Sequence, residues 1–541
     1  MVEFKHSKED ETMTKRLLAL LFALLLIISA VACGKTDENS NADTTVSESQ
    51  SDSDASSESD GVDGTQSDDG SIQDGSQSIS DSSSDTAGAS QETAESSSDT
   101  TDNTKPEGGE VIEKVYDDVY IDDVDIREYV VVIPSMDDLY SYYTALNIIN
   151  YFRNVYDYQL IMLDDQMGES EYEILIGDTD RPESDTGLTF GVGEYTVFRS
   201  GNKIVLDGYG VYVGAGMGDI IAECLSYDCN NPKYTDIVDV IPNKAEKRSF
   251  APSAQAENVI LMIGDGMGYN HVEAAIKNGY ISEFAAAGFT SVGSLITRSQ
   301  SVINGEASYT DSAAAATALA SGYKTINGYI GKDANGDNIQ NVRELAYNFG
   351  ALTAVITTDV ITGATPGGFL AHNISRNNTS ELQAEINALV AAGEVDYCKG
   401  EVDDDITQHT IRALNQMAYG SEPFFMMVEE ARIDKRSHDN NLTSAMDKVM
   451  WYNDCIAYAA TFVMINQNTA LIVTADHETG GLTEDSSAQY GYKYTSGNHT
   501  NADVPVYALG YGTEIFNGAR TENNEIAKFI AKHFGAESFG A

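Results

Sequence analysis

Five short apolar runs, each followed by a polar or glycine-rich turn and then by helical periodicity, constrain this chain of 541 residues more than any other feature. They lie at 259–263, 351–357, 424–428, 469–474 and 504–509, with helical patterns near 312–320, 381–391, 442–465 and 523–534. Unbroken apolar runs of this length read as strands buried on both faces. Strands alternating with helices predict an α/β fold, a mostly parallel central sheet flanked by helices. In such sheets ligands bind just beyond the carboxyl ends of the strands, so residues that follow each run deserve the closest reading.

Those positions are rich in metal-ligand chemistry. The first run leads into Gly264-Asp265-Gly266-Met267-Gly268, a carboxylate flanked by glycines. The third leads into Glu429-Glu430-Ala431-Arg432-Ile433-Asp434-Lys435-Arg436-Ser437-His438. Asp434 and His438 are four residues apart, close enough to serve one metal if that stretch is helical. After the fourth run come Asp476-His477-Glu478-Thr479-Gly480-Gly481, and His499 precedes the fifth. Between the first two runs, Thr310-Asp311-Ser312 opens the small-residue stretch Ala313-Ala314-Ala315-Ala316. A serine at a helix N-terminus sits where anions are stabilised. Each piece has a plainer reading alone: a turn aspartate, a helix cap, a solvated charge run.

Taken together, the motifs resemble the alkaline phosphatase family over roughly residues 256–535, in the family's order. The resemblance implies a phosphomonoesterase acting on small phosphorylated substrates, with Ser312 as nucleophile and Arg376, within His372-Asn373-Ile374-Ser375-Arg376, gripping phosphate. It implies two zinc ions, one held by Asp434, His438 and His499 and the other by Asp265, Asp476 and His477. It also implies one magnesium, held by Glu429, Thr365 and the shared Asp265. Paired zinc ions about 4 Å apart clamp the attacking and leaving oxygens of an in-line displacement. Two departures stand out: Gly363 occupies a position that is acidic or imidazole in many relatives, and the stretch from Arg376 to Glu429 is short. The second leaves a homodimer of the family type open. A sulfatase is disfavoured, because Ser312-Ala313-Ala314-Ala315 lacks the C/S-x-P-x-R setting. A phosphodiesterase of the same superfamily, or a catalytically silent surface binding lipoprotein, is the competing reading.

The rest of the chain reads as delivery and attachment. Lys15-Arg16, the apolar run 17–32 and Ala30-Val31-Ala32 before Cys33 resemble a bacterial lipoprotein signal over residues 1–33. That predicts a lipid anchor at Cys33 and an extracellular location at the cell membrane. Residues 34–108 hold 20 serines and 19 acids among 75 residues, too few apolar groups to offset ordering entropy, so a disordered tether is expected. Residues 109–248 alternate strand and helix patterns and contain no histidine, predicting a small α/β accessory domain that is structural or partner-binding and carries no chemistry of its own. Its stretch Glu173-Ile174-Leu175-Ile176-Gly177-Asp178-Thr179 resembles accessory domains of secreted glycan-active bacterial proteins, which implies wall or glycan contact. Residues 230–255, with three prolines, read as connection to the catalytic domain at 256–541. A net charge of −53 excludes nucleic acid as a main partner. Cys224 and Cys229 are candidates for a disulfide.

Overall fold

The computed structural model describes residues 119–121, 124–224, 235–236, 241–252 and 256–541. The expected signal and lipid anchor, the tether and the Cys224–Cys229 pairing lie outside the described residues.

The accessory region builds one sheet from β1 (Val130–Ile133), β2 (Ile161–Asp164), β3 (Glu173–Ile176), β4 (Glu194–Ser200), β5 (Lys203–Gly208) and β6 (Arg248–Ser249), in the order β2-β1-β3-β5-β4-β6. The first four in that order are mutually parallel, and β4 and β5 form an antiparallel hairpin across Gly201, which sits at φ +60 as the tight turn requires. The stretch expected as plain connection returns to this region instead. Thr235–Asp236 pairs with Val119–Ile121, and β6 pairs with β4.

The catalytic region builds an eight-stranded sheet. Its strands are β7 (Asn258–Gly264), β8 (Ser291–Ile296), β9 (Leu352–Thr357), β10 (Tyr397–Gly400), β11 (Phe424–Glu430), β12 (Thr469–Thr474), β13 (Val504–Leu509) and β14 (Arg520–Glu522), in the order β10-β9-β11-β7-β12-β13-β8-β14. The block from β10 to β12 is parallel throughout, while β13 runs antiparallel to both its neighbours. Every residue of β7, β11, β12 and β13 is buried, which is why these four were readable as continuous apolar runs. Two groups of helices flank the sheet.

The two regions share a helix interface. Helix α1 (Leu139–Tyr156) of the accessory region packs against the long helix later in the chain, Leu442–Ile465, whose second half, residues 455–465, is buried on every side. A helical segment that is apolar on nearly every side must be covered all round, and α1 contributes to that cover. Asn147 Nδ2, fully buried, donates to Tyr458 O at 3.3 Å and to Thr461 Oγ1 at 3.0 Å across this contact. Tyr143 meets Tyr458 edge-on, with ring centroids 5.5 Å apart.

Candidate active site

Register decides which side chains meet. Ile263 pairs with Glu429 on one side and with Thr474 on the other, and Thr357 also pairs with Glu429. Four parallel strands therefore end level, and the residues just beyond them emerge at one edge. Asp265 follows β7, Glu429 lies at the end of β11, and Asp476 and His477 follow β12. Gly266 is the hinge that lets the Asp265 loop approach. It has φ +74, and a Cβ there would sit 2.8 Å from the Asp434 backbone. Its N–H donates to Asp476 Oδ1 at 3.1 Å.

Asp434 and His438 share one short helix, α2 (Arg432–His438), as the four-residue spacing requires. His438 Nε2 lies 3.4 Å from Asp434 Oδ1, His499 Nε2 lies 3.6 Å from the same oxygen, and the two Nε2 atoms are 3.1 Å apart. A second group adjoins the first: His477 Nε2 is 3.6 Å from Asp265 Oδ1 and 3.3 Å from Asp476 Oδ2. His477 and His499 stack at 3.6 Å, so the groups touch. The outer nitrogens show how the rings are oriented. Nδ1 of His438 is 2.7 Å from the Gly497 carbonyl oxygen, and Nδ1 of His499 is 2.8 Å from that of Thr310. A carbonyl only accepts, so each Nδ1 carries the proton and each Nε2 turns a lone pair inward.

The nucleophile candidate opens α3 (Ser312–Ser321), whose N-cap is Asp311, accepting from Ala314 N at 3.0 Å. Ser312 Oγ is 3.2 Å from His477 Nε2. The alanine run is explained by packing: α3 crosses α4 (Ala364–Leu370) so closely that a Cβ on Gly368 would meet the Ala316 backbone at 3.1 Å. The other oxygen of Asp311 accepts from Gly328 N at 3.0 Å and from Arg376 Nη1 at 3.3 Å, tying the arginine to the residue before the serine. On α4, the Thr365 hydroxyl faces the Glu429 carboxylate and favours its charged form against burial, without the geometry of a full hydrogen bond. Thr357 Oγ1 donates to Glu429.

Electrostatics and unsatisfied atoms both indicate cations. Burial, then the charges of Asp476, Asp434 and Glu429, holds the Asp265 carboxyl well above the usual carboxylate range. Burial and Asp434 push Asp476 up to about 7, and burial pushes Glu429 up to about 8. Burial, with His499 and His438 beside it, holds His477 well below the usual imidazole range. So many acids cannot share one buried pocket in ionised form unless positive charge is supplied. Asp265 Oδ1, Asp476 Oδ2 and Thr365 Oγ1 are buried without hydrogen-bond partners, a costly condition that a metal ligand would relieve. Asp434, His477 and His499 form one group with ligand atoms within 4.8 Å of one another, and Asp265, Asp476 and His477 another. Nitrogen and carboxylate donors suit zinc, and the oxygen set of Asp265, Glu429 and Thr365 suits magnesium. The residues present fit both.

Residues 256–404 and 402–495 match the family model described as alkaline phosphatase. Over those residues the chain is similar to the alkaline phosphatase family. It is accordingly an enzyme of alkaline phosphatase type, and in reaction class a metal-dependent phosphatase. It is similar to alkaline phosphatase 4 of Bacillus subtilis strain 168, 29% identical over 308 residues, which cover 44% of this chain and 66% of that protein. Alkaline phosphatase 3 of the same organism is 25% identical over 427 residues, 53% of this chain and 91% of that protein. Among solved structures, the alkaline phosphatase from the Antarctic bacterium TAB5 aligns with 25% identity and a TM-score of 0.48, over 53% of this chain and 99% of that one.

All ten residues singled out from the sequence converge on this edge of the sheet. Sequence reasoning passed over several that hold them. Asp311 was weighed only as a cap, and its grip on Arg376 spans 65 positions. His271, buried, accepts from Gly268 N through Nδ1 and meets Ser437 Oγ at 2.9 Å through Nε2, bracing the helix that carries Asp434 and His438. Thr479 lies in a recognised motif, but nothing local marks its contacts.

Proposed function

We propose that this chain is an extracellular phosphomonoesterase that works through a phosphoserine at Ser312, anchored to the membrane by lipid at Cys33 and spaced from it by residues 34–108. The observation that carries the catalytic part is the placement of Ser312 Oγ 3.2 Å from His477 Nε2, at a helix N-terminus, one residue from the carboxylate that holds Arg376.

Zinc would be held by Asp434, His438 and His499 and by Asp265, Asp476 and His477, and magnesium by Glu429, Thr365 and Asp265. When bound, such cations polarise the phosphoryl group and stabilise negative charge on the attacking and leaving oxygens. The chain's own groups do the rest. Arg376 offers a planar fork of N–H donors to two non-bridging oxygens, a geometry lysine cannot match. The amide dipoles at the start of α3 favour the anionic form of Ser312. Ser312 Oγ bonds to phosphorus as the ester P–O bond breaks and the alcohol departs. Water then attacks phosphorus, the P–Oγ bond breaks, and inorganic phosphate leaves with the serine regenerated. The arginine favours monoesters, since it meets a dianionic phosphoryl group rather than the monoanion of a diester.

The test is phosphate release by the full-length chain at alkaline pH with zinc and magnesium, comparing an aryl phosphomonoester with the matching diester. Monoester turnover lost in Ser312→Ala and on chelation is expected. Diester preference, or full turnover by Ser312→Ala, would overturn the proposal.

A further inference from the structure

Thr479 is fully buried on the two-residue strand Glu478–Thr479, which pairs with His499–Thr500 so that Thr479 faces His499. Its N–H donates to Gly266 O at 3.1 Å, next to Asp265. Its hydroxyl oxygen lies 2.5 Å from Asp434 Oδ1 and 3.2 Å from His477 Nδ1. A hydroxyl has one hydrogen, and an ionised carboxylate only accepts. The hydrogen therefore goes to Asp434, and the threonine oxygen accepts from His477 Nδ1–H. That choice fixes the His477 tautomer, turning the Nε2 lone pair toward Asp265, Asp476 and Ser312. Under the zinc assignment proposed above, a single side chain thus touches one donor from each site, and His477 also lies within reach of both clusters. The Thr479 backbone is paired to the strand bearing another donor and to the loop bearing a further one.

We propose that Thr479 is a positioning residue that sets the two metal-binding groups relative to each other, through one hydroxyl shared by Asp434 and His477. The inference rests on the phosphatase reading and deepens it. His438 and His499 have carbonyl partners of their own, so loss of the hydroxyl leaves them oriented. The damage falls on one ligand per site, and both sites weaken together. A purely structural threonine would instead lower the melting temperature and leave the metals alone.

The experiment compares the full-length wild type with Thr479→Val, which swaps the hydroxyl for a methyl, and Thr479→Ser, which keeps it. Zinc affinity and stoichiometry are measured by competition with a chromophoric chelator, the cobalt-substituted proteins by absorption spectroscopy, and kcat and KM on an aryl phosphomonoester. Removing a partner that orients metal ligands typically costs about 10–100-fold in affinity. That loss is expected at both sites in Thr479→Val, with an altered cobalt spectrum and a fall mainly in kcat, and Thr479→Ser should recover most of it. The proposal is overturned if Thr479→Val keeps wild-type zinc affinity and spectrum, if only one site weakens, or if Thr479→Ser behaves like Thr479→Val. A folded wild type that binds no zinc would instead sink the phosphatase reading, and this inference with it.

Discussion

His438 and His499 approach Nε2 to Nε2 at 3.1 Å, each ring held from behind by a backbone carbonyl. Two inward lone pairs beside the Asp434 carboxylate repel one another, so the fold stores this arrangement for a cation. Metal removal should therefore cost stability as well as activity. A ligand present at a thousand times its Kd stabilises the folded state by about 4 kcal/mol. Chelation is expected to lower the melting temperature by several degrees, and zinc to restore it. Calorimetry with and without chelator checks this, and an unchanged transition would argue against metal at these histidines.

Asp311 does two jobs that substitution can separate. Asparagine caps helices about as well as aspartate, whereas alanine forfeits about 1 kcal/mol of cap. In Asp311→Asn the amide oxygen can keep the cap at Ala314 N, but the NH2 then faces Gly328 N and Arg376. The melting temperature should therefore fall less than in Asp311→Ala, and Arg376, whose contact with Asp311 is partly exposed, should loosen. The discounted value of such a charged contact, about 1 kcal/mol, corresponds to a rise of roughly fivefold in KM and in the inhibition constant for phosphate. Asp311→Ala should show the same kinetic change and a lower melting temperature. Steady-state kinetics with phosphate as inhibitor decides, and unchanged constants in Asp311→Asn would mean that Arg376 is held by other means.

What could be read in the sequence follows from burial and locality. The strands β7, β11, β12 and β13 are buried from end to end, so their apolar runs are unbroken, and the acids and histidines beyond them were visible by position alone. Strand β8 buries only Ser291 and Leu295, β10 is only half-buried throughout, and β14 has just three residues, so none of them left a pattern. Ser312 and its alanine run were legible because a close helix crossing demands small side chains. Asp311 with Arg376, His271 with Ser437 and Asn147 with Tyr458 were not, because each is a contact between distant segments that no spacing rule encodes.

One titrating pair lies outside the metal-binding residues and sets a pH dependence. His372 Nδ1 is 2.9 Å from Glu385 Oε1, and its Nε2 is 3.7 Å from Glu344 Oε1. Burial disfavours the charged ring, but the Glu385 contact and the Glu344 charge outweigh it, and its pKa is raised. A raised imidazole pKa contributes stability that is complete below the unfolded value of about 6.5 and is lost as pH climbs through the folded value. The melting-temperature gap between wild type and Glu385→Gln should therefore be widest near pH 6 and close toward pH 9. A gap that widens with pH would show that the pair is not charged in the folded protein.

The accessory region is fastened to the catalytic region at a point where no side chain fits. On the helix Ala215–Cys224, a Cβ at Gly218 would lie 2.0 Å from the Met464 carbonyl oxygen and 2.6 Å from Gln467 Nε2. Gln467 can rotate away, but the Met464 carbonyl belongs to the long buried helix and cannot move without shifting it. Overpacking of this kind costs typically 1–3 kcal/mol, sometimes more. Gly218→Ala should lower the melting temperature by several degrees and expose the junction between the regions to limited proteolysis. The metal ligands lie on other elements, so zinc stoichiometry and KM should stay at wild-type values. If Gly218→Ala instead loses zinc while keeping its melting temperature, the accessory region would be tied to the metal-binding residues rather than merely docked against the helix behind them.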